Sequence, residues 1–196
     1  MQNKKLVAVC VGHSRAGDKG AVNVDNVTEW SFNQPLAKRV CELIKDAGYD
    51  AVVVSLYNGS GYTAAMTWLA NHLQEIGANV AVELHFNCSD EPKANGYEFL
   101  HWYCSHNGLR LADELAHSFA KSFPNQKNRG LKSINSEDRG GLFLRKTMCP
   151  AVICEPFFGS NAKENEFFFS HREELAKAYA DGILNWLVSK ELKTTQ

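Results

Sequence analysis

The chain reads as an α/β protein, a twisted and mostly parallel sheet flanked by helices on both faces. Two observations predict this. Short runs such as Leu6–Val11, Val80–Leu84 and Ala151–Cys154 are apolar at almost every position and rich in valine, as strands covered on both sides must be. Between the runs lie longer segments whose apolar residues recur at helical spacing, so strand and helix alternate along the chain.

The elements follow in order. Leu6–Val11 is the first strand. Ser31–Gly48 is a helix, with Ser31 and Gln34 as a capping box, Leu36, Val40, Leu43 and Ala47 on its buried face, and Gly48 as its stop. Pro35 is placed in the first turn, where a missing amide hydrogen costs little. Ala51–Leu56 is a strand, Asn58-Gly59-Ser60-Gly61 a turn, and Tyr62–Ile76 a helix. Val80–Leu84 and Gly96–Tyr103 are strands, and Leu109–Phe123 is a helix with Leu111, Leu115 and Phe119 inward. Pro124–Lys132 is a polar loop leading to a hairpin-like or edge region near Leu142–Arg145. Ala151–Cys154 is the last strand and Arg172–Val188 the closing helix. The sequence contains no internal repeat and no low-complexity tract. Residues 1–196 are expected to form one domain, with a core over about 6–188 and a frayed polar tail over 189–196.

Composition narrows the function. With 196 residues, 44% of them apolar and 11% aromatic, the chain can bury one good core. Twenty-one basic and twenty-two acidic residues give a net charge of −1, so there is no broad basic field to hold a nucleic acid or an anionic membrane. Six cysteines are scattered with no Cys-x-x-Cys pair, the usage of a reducing compartment. The apolar stretch Leu6–Val11 is too short for a secretory signal, and no membrane span is visible. Synthesis in a bacterial cytoplasm, with access to its target after release, is the expectation.

Three of the apolar strands run directly into a chemically competent side chain: Val7-Ala-Val-Cys-Val-Gly-His13, Val80-Ala-Val-Glu-Leu-His85 and Ala151-Val-Ile-Cys-Glu155. In a parallel sheet the ligand crevice lies beyond the carboxyl ends of the strands, so His13, His85 and Glu155 should converge on one rim. Glu29 closes the loop between the first strand and the first helix and hangs over the same rim. Two imidazoles and one carboxylate, with a fourth position left to water, form the ligand set of a hydrolytic zinc site. His13, Glu29 and His85 are assigned to one zinc ion, and Glu155 to general base and proton donor.

Each of these residues has a plainer reading. A lone histidine at a strand end is usually a structural hydrogen-bonding group, and Glu29 ahead of a helix is usually a solvated charge favoured by the helix dipole. Glu155 is harder to dismiss, because a carboxylate between Ala-Val-Ile-Cys and Pro-Phe-Phe is desolvated at a cost unless it has a partner. The other histidines serve as controls. His72 and His117 fall within helices, His106 in a polar turn, His171 at the start of the last helix, and His101 packs in a strand. Cys88 follows His85 by three residues, yet no third group orients it as a nucleophile. Gly12-His-Ser-Arg-Ala-Gly-Asp-Lys-Gly20 fails as a phosphate loop, because Asp18 separates glycine from lysine and Gly20 replaces the magnesium-holding hydroxyl.

The chain resembles the zinc-dependent N-acetylmuramoyl-L-alanine amidases of type 3, which include catalytic domains of phage endolysins. The resemblance rests on Val-Gly-His13-Ser with Gly20-Ala21, Glu29-Trp-Ser-Phe-Asn33-Gln-Pro-Leu-Ala37, Glu83-Leu-His85-Phe-Asn87, Gly96-Tyr-Glu98, and Pro150-Ala-Val-Ile-Cys-Glu155-Pro-Phe-Phe158 with Asn161. These occur in the family's order over nearly the whole chain. The resemblance implies the same ligand set, the same role for Glu155, a zinc amidase/exopeptidase-like fold, and bacterial peptidoglycan as partner. The bond expected to be cut joins the lactyl group of N-acetylmuramic acid to the L-alanine of the stem peptide. Asn87, Glu98 and Arg145 are the candidate contacts to that peptide. An arginine common in the family is missing near Thr67-Trp68. No inhibitory helix or wall-binding module is evident, which favours a free-standing lysin over a regulated autolysin. A zinc peptidase of related fold and a non-catalytic wall-binding domain are the alternatives. No nucleotide and no membrane insertion are expected.

Overall fold

The computed structural model describes residues 4–138 and 140–194. In chain order the elements are β1 (Leu6–Val11), α1 (Glu29–Asp46), β2 (Asp50–Val54), α2 (Tyr62–Glu75), β3 (Val80–Leu84), β4 (Tyr97–Trp102), α3 (His106–Ser122), β5 (Asn128–Ile134), α4 (Gly141–Lys146), β6 (Ala151–Glu155), α5 (Ala162–Ser170) and α6 (Arg172–Thr194). The strands form one six-stranded sheet in the order β2-β1-β3-β6-β4-β5. β2, β1, β3 and β6 are mutually parallel; β4 runs antiparallel to β6, and β5 is parallel to β4.

The valine-rich runs are buried on both sides, as their composition requires. Val7, Val9 and Val11 of β1, Val80, Val82 and Leu84 of β3, and Val152 and Cys154 of β6 face a core shared with α1, α3 and α6. The alternate residues Ala8, Cys10, Ala81, Ala151 and Ile153 face a second core with α2 and α4. α6 packs against both α1 and α3. The first core is dense in rings: Phe119 touches Tyr97, Phe99, Phe123 and Tyr179, with centroids 4.9–5.6 Å apart. Contacts of this kind add to the area they remove from water and fix the antiparallel β4 beside β6.

Several elements differ from the sequence reading. α1 starts at Glu29, because Thr28 takes the cap position and its hydroxyl accepts a hydrogen bond from the Ser31 amide. Ser31 is therefore not the cap, and Pro35 lies in the second turn, where it leaves the Ser31 carbonyl without its helical donor. The shift has a functional consequence, since Glu29 becomes the first helical residue. α3 starts at His106, capped by the Ser105 hydroxyl. The segment read as a loop, Pro124–Lys132, contains the start of β5, an edge strand that carries Arg129 and Lys132 and is only partly buried. An edge strand needs no alternating apolar face and tolerates charges. The expected edge region at Leu142–Arg145 is instead α4, whose Phe143 and Leu144 pack in the second core. α5 was not foreseen. α6 continues to Thr194, through most of the segment expected to fray; residues 195 and 196 lie outside the described ones. All six cysteines are unpaired. Among the described residues no helix is long and apolar enough to cross a membrane.

Candidate metal centre

The topology puts the carboxyl ends of β1, β3 and β6 side by side, and the chain continues the ladder past each of them. The Gly12 amide donates to the Leu84 carbonyl and the His85 amide to the Cys154 carbonyl, at 3.0 Å each. His85 and Glu155 thus leave neighbouring strands at one level, and His13 follows one residue beyond that level on β1. His13 has φ +59, a left-handed backbone uncommon for a residue with a side chain, although histidine enters it more readily than most. That turn aims its ring back over the strand ends.

Glu29 reaches into this corner from the first turn of α1 and is 3% exposed. Its Oε1 accepts from the Phe86 amide at 3.1 Å and lies 2.7 Å from His85 Nδ1. Its Oε2 accepts from the Ala21 amide at 3.1 Å and lies 3.3 Å from His13 Nε2. A single carboxylate is bracketed by two imidazoles, and one ligand atom from each of the three residues lies within 4.8 Å of the others. Burial alone would raise the Glu29 carboxyl, but the hydrogen bond and charge of His85, with His13, hold it below the usual carboxylate range. Burial would likewise lower His85; Glu29 and Glu83 outweigh it and hold the imidazole well above its ordinary value. The corner is built to concentrate negative charge around one cation.

The backbone closes tightly on these groups. Gly20, at φ +74, approaches so near that a Cβ there would stand 2.7 Å from Glu29 Oε2 and from the His13 ring. Gly12 lies flat against His85, and a Cβ there would stand 2.5 Å from Nε2. Gly12→Ala is therefore expected to push the ring aside. Overpacking of this kind costs roughly 1–3 kcal/mol, and titration of the variant with zinc should show it as weakened affinity; unchanged affinity would mean that the ring position does not matter.

The loop that failed as a phosphate cradle has a different task. Asp18 Oδ1 lies 3.1 Å from His13 Nδ1 and accepts from the Gly20 amide at 3.1 Å, while Arg15 pairs with its other oxygen at 3.1 Å. Burial raises the Asp18 carboxyl, but Gly20, His13 and Arg15 together hold it below its ordinary value. With the Nδ1 proton directed at Asp18, His13 presents its Nε2 lone pair to the corner.

Glu155 ends β6 in the register position beside His85. The residue is only partly buried, yet its Oε2 is fully enclosed and has no hydrogen-bond partner. Burial pushes its carboxyl up to about 8 against the pull of His85, with Glu29, Glu98 and Glu83 adding to the rise. The sign of the resulting linkage is fixed. An unfolded carboxyl loses its proton near 4.5 while the folded one keeps it to about 8, so between those values the folded state holds the extra proton and stability falls as pH rises. Metal-stripped protein melted between pH 5 and pH 8 should show this fall, and Glu155→Gln should flatten it.

Of the three expected peptide contacts, two are brought to the site. Glu98, on β4, is the register partner of Glu155. It accepts from Asn87 Nδ2 at 2.8 Å and from Arg129 Nε at 2.9 Å, with Lys132 3.7 Å away. Arg145 is not brought there. It is exposed on α4 and lines a hollow with Trp102, Ser105, Pro150 and Ala151, at the amino end of β6. The segment expected to be a hairpin-like or edge region is a helix packed on α2.

Asp18 and Glu83 stand in the sequence reading without a role at the site, and Arg129 is absent from it. A signal existed for Glu83, since a charge within a fully buried apolar run needs a partner. Glu164 was missed as well. It accepts from the Gly96 amide at 2.7 Å and the Phe158 amide at 2.9 Å, tying the start of β4 to the loop after β6.

Residues 7–185 match the family model described as N-acetylmuramoyl-L-alanine amidase. Among solved structures, the catalytic domain of CwlV, an N-acetylmuramoyl-L-alanine amidase from Bacillus (Paenibacillus) polymyxa var. colistinus, is 27% identical with a TM-score of 0.79, covering 93% of this chain and 98% of that one. The CwlD amidase from Clostridioides difficile, solved with the GerS lipoprotein, is 21% identical at TM-score 0.83, covering 95% and 100%. The catalytic domain of the CD27L endolysin, targeting Clostridia difficile, is 24% identical at TM-score 0.78, covering 92% and 97%. The latter two likenesses are of fold. No curated protein sequence matches the chain.

Proposed function

Because the chain belongs to the N-acetylmuramoyl-L-alanine amidase family, its reaction is set, and we propose which of its residues carry that reaction out. The enzyme hydrolyses the amide bond between N-acetylmuramic acid and L-alanine in bacterial peptidoglycan. The observation that carries the assignment of roles is the convergence of His13, Glu29 and His85 donor atoms within 4.8 Å, beside the enclosed carboxylate of Glu155.

The donor set suits zinc. It offers two imidazole nitrogens and one carboxylate oxygen, with His13 Nδ1 already on Asp18 and both Glu29 oxygens on backbone amides, and three protein ligands leave a coordination place for solvent or substrate. One zinc ion per chain, held by His13, Glu29 and His85, would lower the pKa of a bound water to about 7 and polarise the carbonyl under attack. Glu29 is held for this by two backbone amides and His13 by Asp18, so the ligands need little reordering when they bind.

Glu155 takes the proton of the attacking water on its carboxylate. The same group then gives that proton to the nitrogen of the departing L-alanine, so one carboxyl serves as base and as acid in a single turnover. Glu98 cannot substitute, because Arg129 and Asn87 already occupy its two oxygens. Asn87 and the Glu98–Arg129 pair border the Glu155 side of the cleft and are placed to contact the stem peptide.

Incubation with purified cell walls tests the reading. Stem peptides with a free L-alanine amine should appear together with a free lactyl carboxylate on N-acetylmuramic acid. A new carboxylate within the stem peptide would identify a zinc peptidase, and binding without release would identify a wall-binding domain.

A further inference from the structure

Glu83 lies two residues before His85 on β3 and is 3% exposed. It faces the second core, beside Cys10 and Ile153 in the ladder. An unpaired carboxylate in such a place is costly, and this one is held at both ends. Its Oε1 accepts from the buried Tyr57 hydroxyl at 3.1 Å. Its Oε2 lies 3.3 Å from His85 Nε2, an ion-pair contact to an enclosed atom that has no hydrogen-bond partner.

The Tyr57 end is itself a construction. Leu56, just before it, has φ +61 and is 74% exposed, a left-handed backbone that bulky residues seldom adopt. The turn throws an apolar side chain into solvent and sends the next one inward, where Tyr57 is 3% exposed against Trp68. Burial, together with the Glu83 charge, pushes the phenol well above its ordinary value, so it stays a neutral donor. Strain of this kind survives where the surroundings enforce it, and it collects at functional sites.

We propose that Glu83, anchored by Tyr57, is a positioning residue for the metal centre: it fixes the His85 ring with Nδ1 towards Glu29 and the ion, and its charge strengthens His85 as a ligand. The inference rests on the zinc reading of His13, Glu29 and His85. The geometry separates Glu83 from direct ligation, because its oxygen meets the His85 ring on Nε2 while Glu29 meets it on Nδ1. The orientation is over-determined. Gly12 presses on the face of the ring, Glu29 takes one nitrogen, and Glu83 takes the other. Asp18 serves His13 in the same way, so each histidine of the pair has its own carboxylate behind it. Loss of such a partner typically weakens metal binding by roughly 10–100-fold.

Zinc affinity of the full chain, measured by competition with a chromophoric chelator, tests this for the wild type, Glu83→Gln and Tyr57→Phe. The visible spectrum of the cobalt-loaded proteins reports ligand geometry independently of activity. Glu83→Gln keeps the shape and removes the charge; zinc binding weaker by about 10–100-fold with a shifted cobalt spectrum is expected, and Tyr57→Phe should move both in the same direction by less. Should Glu83→Gln not fold, Tyr57→Phe decides, since it removes one hydroxyl at the far end of the relay. Affinities within twofold of wild type and an unchanged cobalt spectrum in the folded variants would overturn the proposal and leave the zinc site standing. A wild type that binds no zinc would remove the site and this inference together.

Discussion

Glu155→Gln is expected to reduce peptide release from cell walls by at least about 10²–10⁴-fold, with the fold and the bound zinc retained. Glutamine keeps the size of the side chain and its place at the end of β6 but can neither take a proton from water nor pass one to the amine. The two proton transfers fall on one group, so both halves of the reaction lose their catalyst at once. The enclosed Oε2 has no hydrogen-bond partner to be lost, so the position is unsatisfied in both proteins and the variant should melt close to wild type. Metal content and thermal melting, measured beside turnover, separate this from collapse of the site. Glu98→Gln is the matched control: it alters the neighbouring register partner, whose oxygens bind Asn87 and Arg129. If Glu98→Gln lost turnover as Glu155→Gln is expected to, while Glu155→Gln retained a tenth or more, the base would have been assigned to the wrong carboxylate.

That prediction was accessible from sequence because the parallel strands are buried on both faces. Val7–Val11, Val80–Leu84 and Ala151–Cys154 are continuous apolar runs, so the first polar side chain beyond each one marks the carboxyl edge of the sheet. His13, His85 and Glu155 could be placed on one rim before any contact was known. Glu29 depended on a loop of unknown path, and the structure places it through a detail that the sequence blurred: Thr28, not Ser31, caps α1. Partly buried segments were harder. β5 carries charge and sits at an edge, where no periodic apolar face is required, and it read as a loop. Leu142-Phe143-Leu144 has the density of a strand and is helical because two of its residues pack beneath α2. Arg145, on α4, lies beside the amino end of β6, away from Glu155. The groups that support the ligands, Asp18 and Glu83, were in view as residues but not as partners, since a 3 Å relation between side chains on different strands or loops leaves no trace in spacing.

Stripping the metal with a strong chelator should abolish hydrolysis while leaving the chain folded, and stoichiometric zinc should restore it. The first half follows from Glu155 alone being insufficient. Its carboxyl, pushed up to about 8 by burial and by its acidic neighbours, already holds its proton at neutral pH and cannot act as a base until a cation balances those neighbours. The second half follows from how the corner satisfies itself. Glu29 retains the Phe86 and Ala21 amides and the His85 pair, and the two cores do not include the ligands, so no buried charge is left bare. Zinc should nevertheless stabilise the fold by mass action, about 4 kcal/mol at a thousandfold excess over Kd. For a chain of this size that is a rise in Tm of roughly 8–16 °C. Binding should also release protons, because Glu29 and Glu83 hold His85 well above its ordinary pKa and the ion must displace that proton. Calorimetry in buffers of different ionisation enthalpy measures the release directly. A chelated protein that still cut cell walls, or one that took up zinc with no proton exchanged and no change in Tm, would place the metal away from His13, Glu29 and His85.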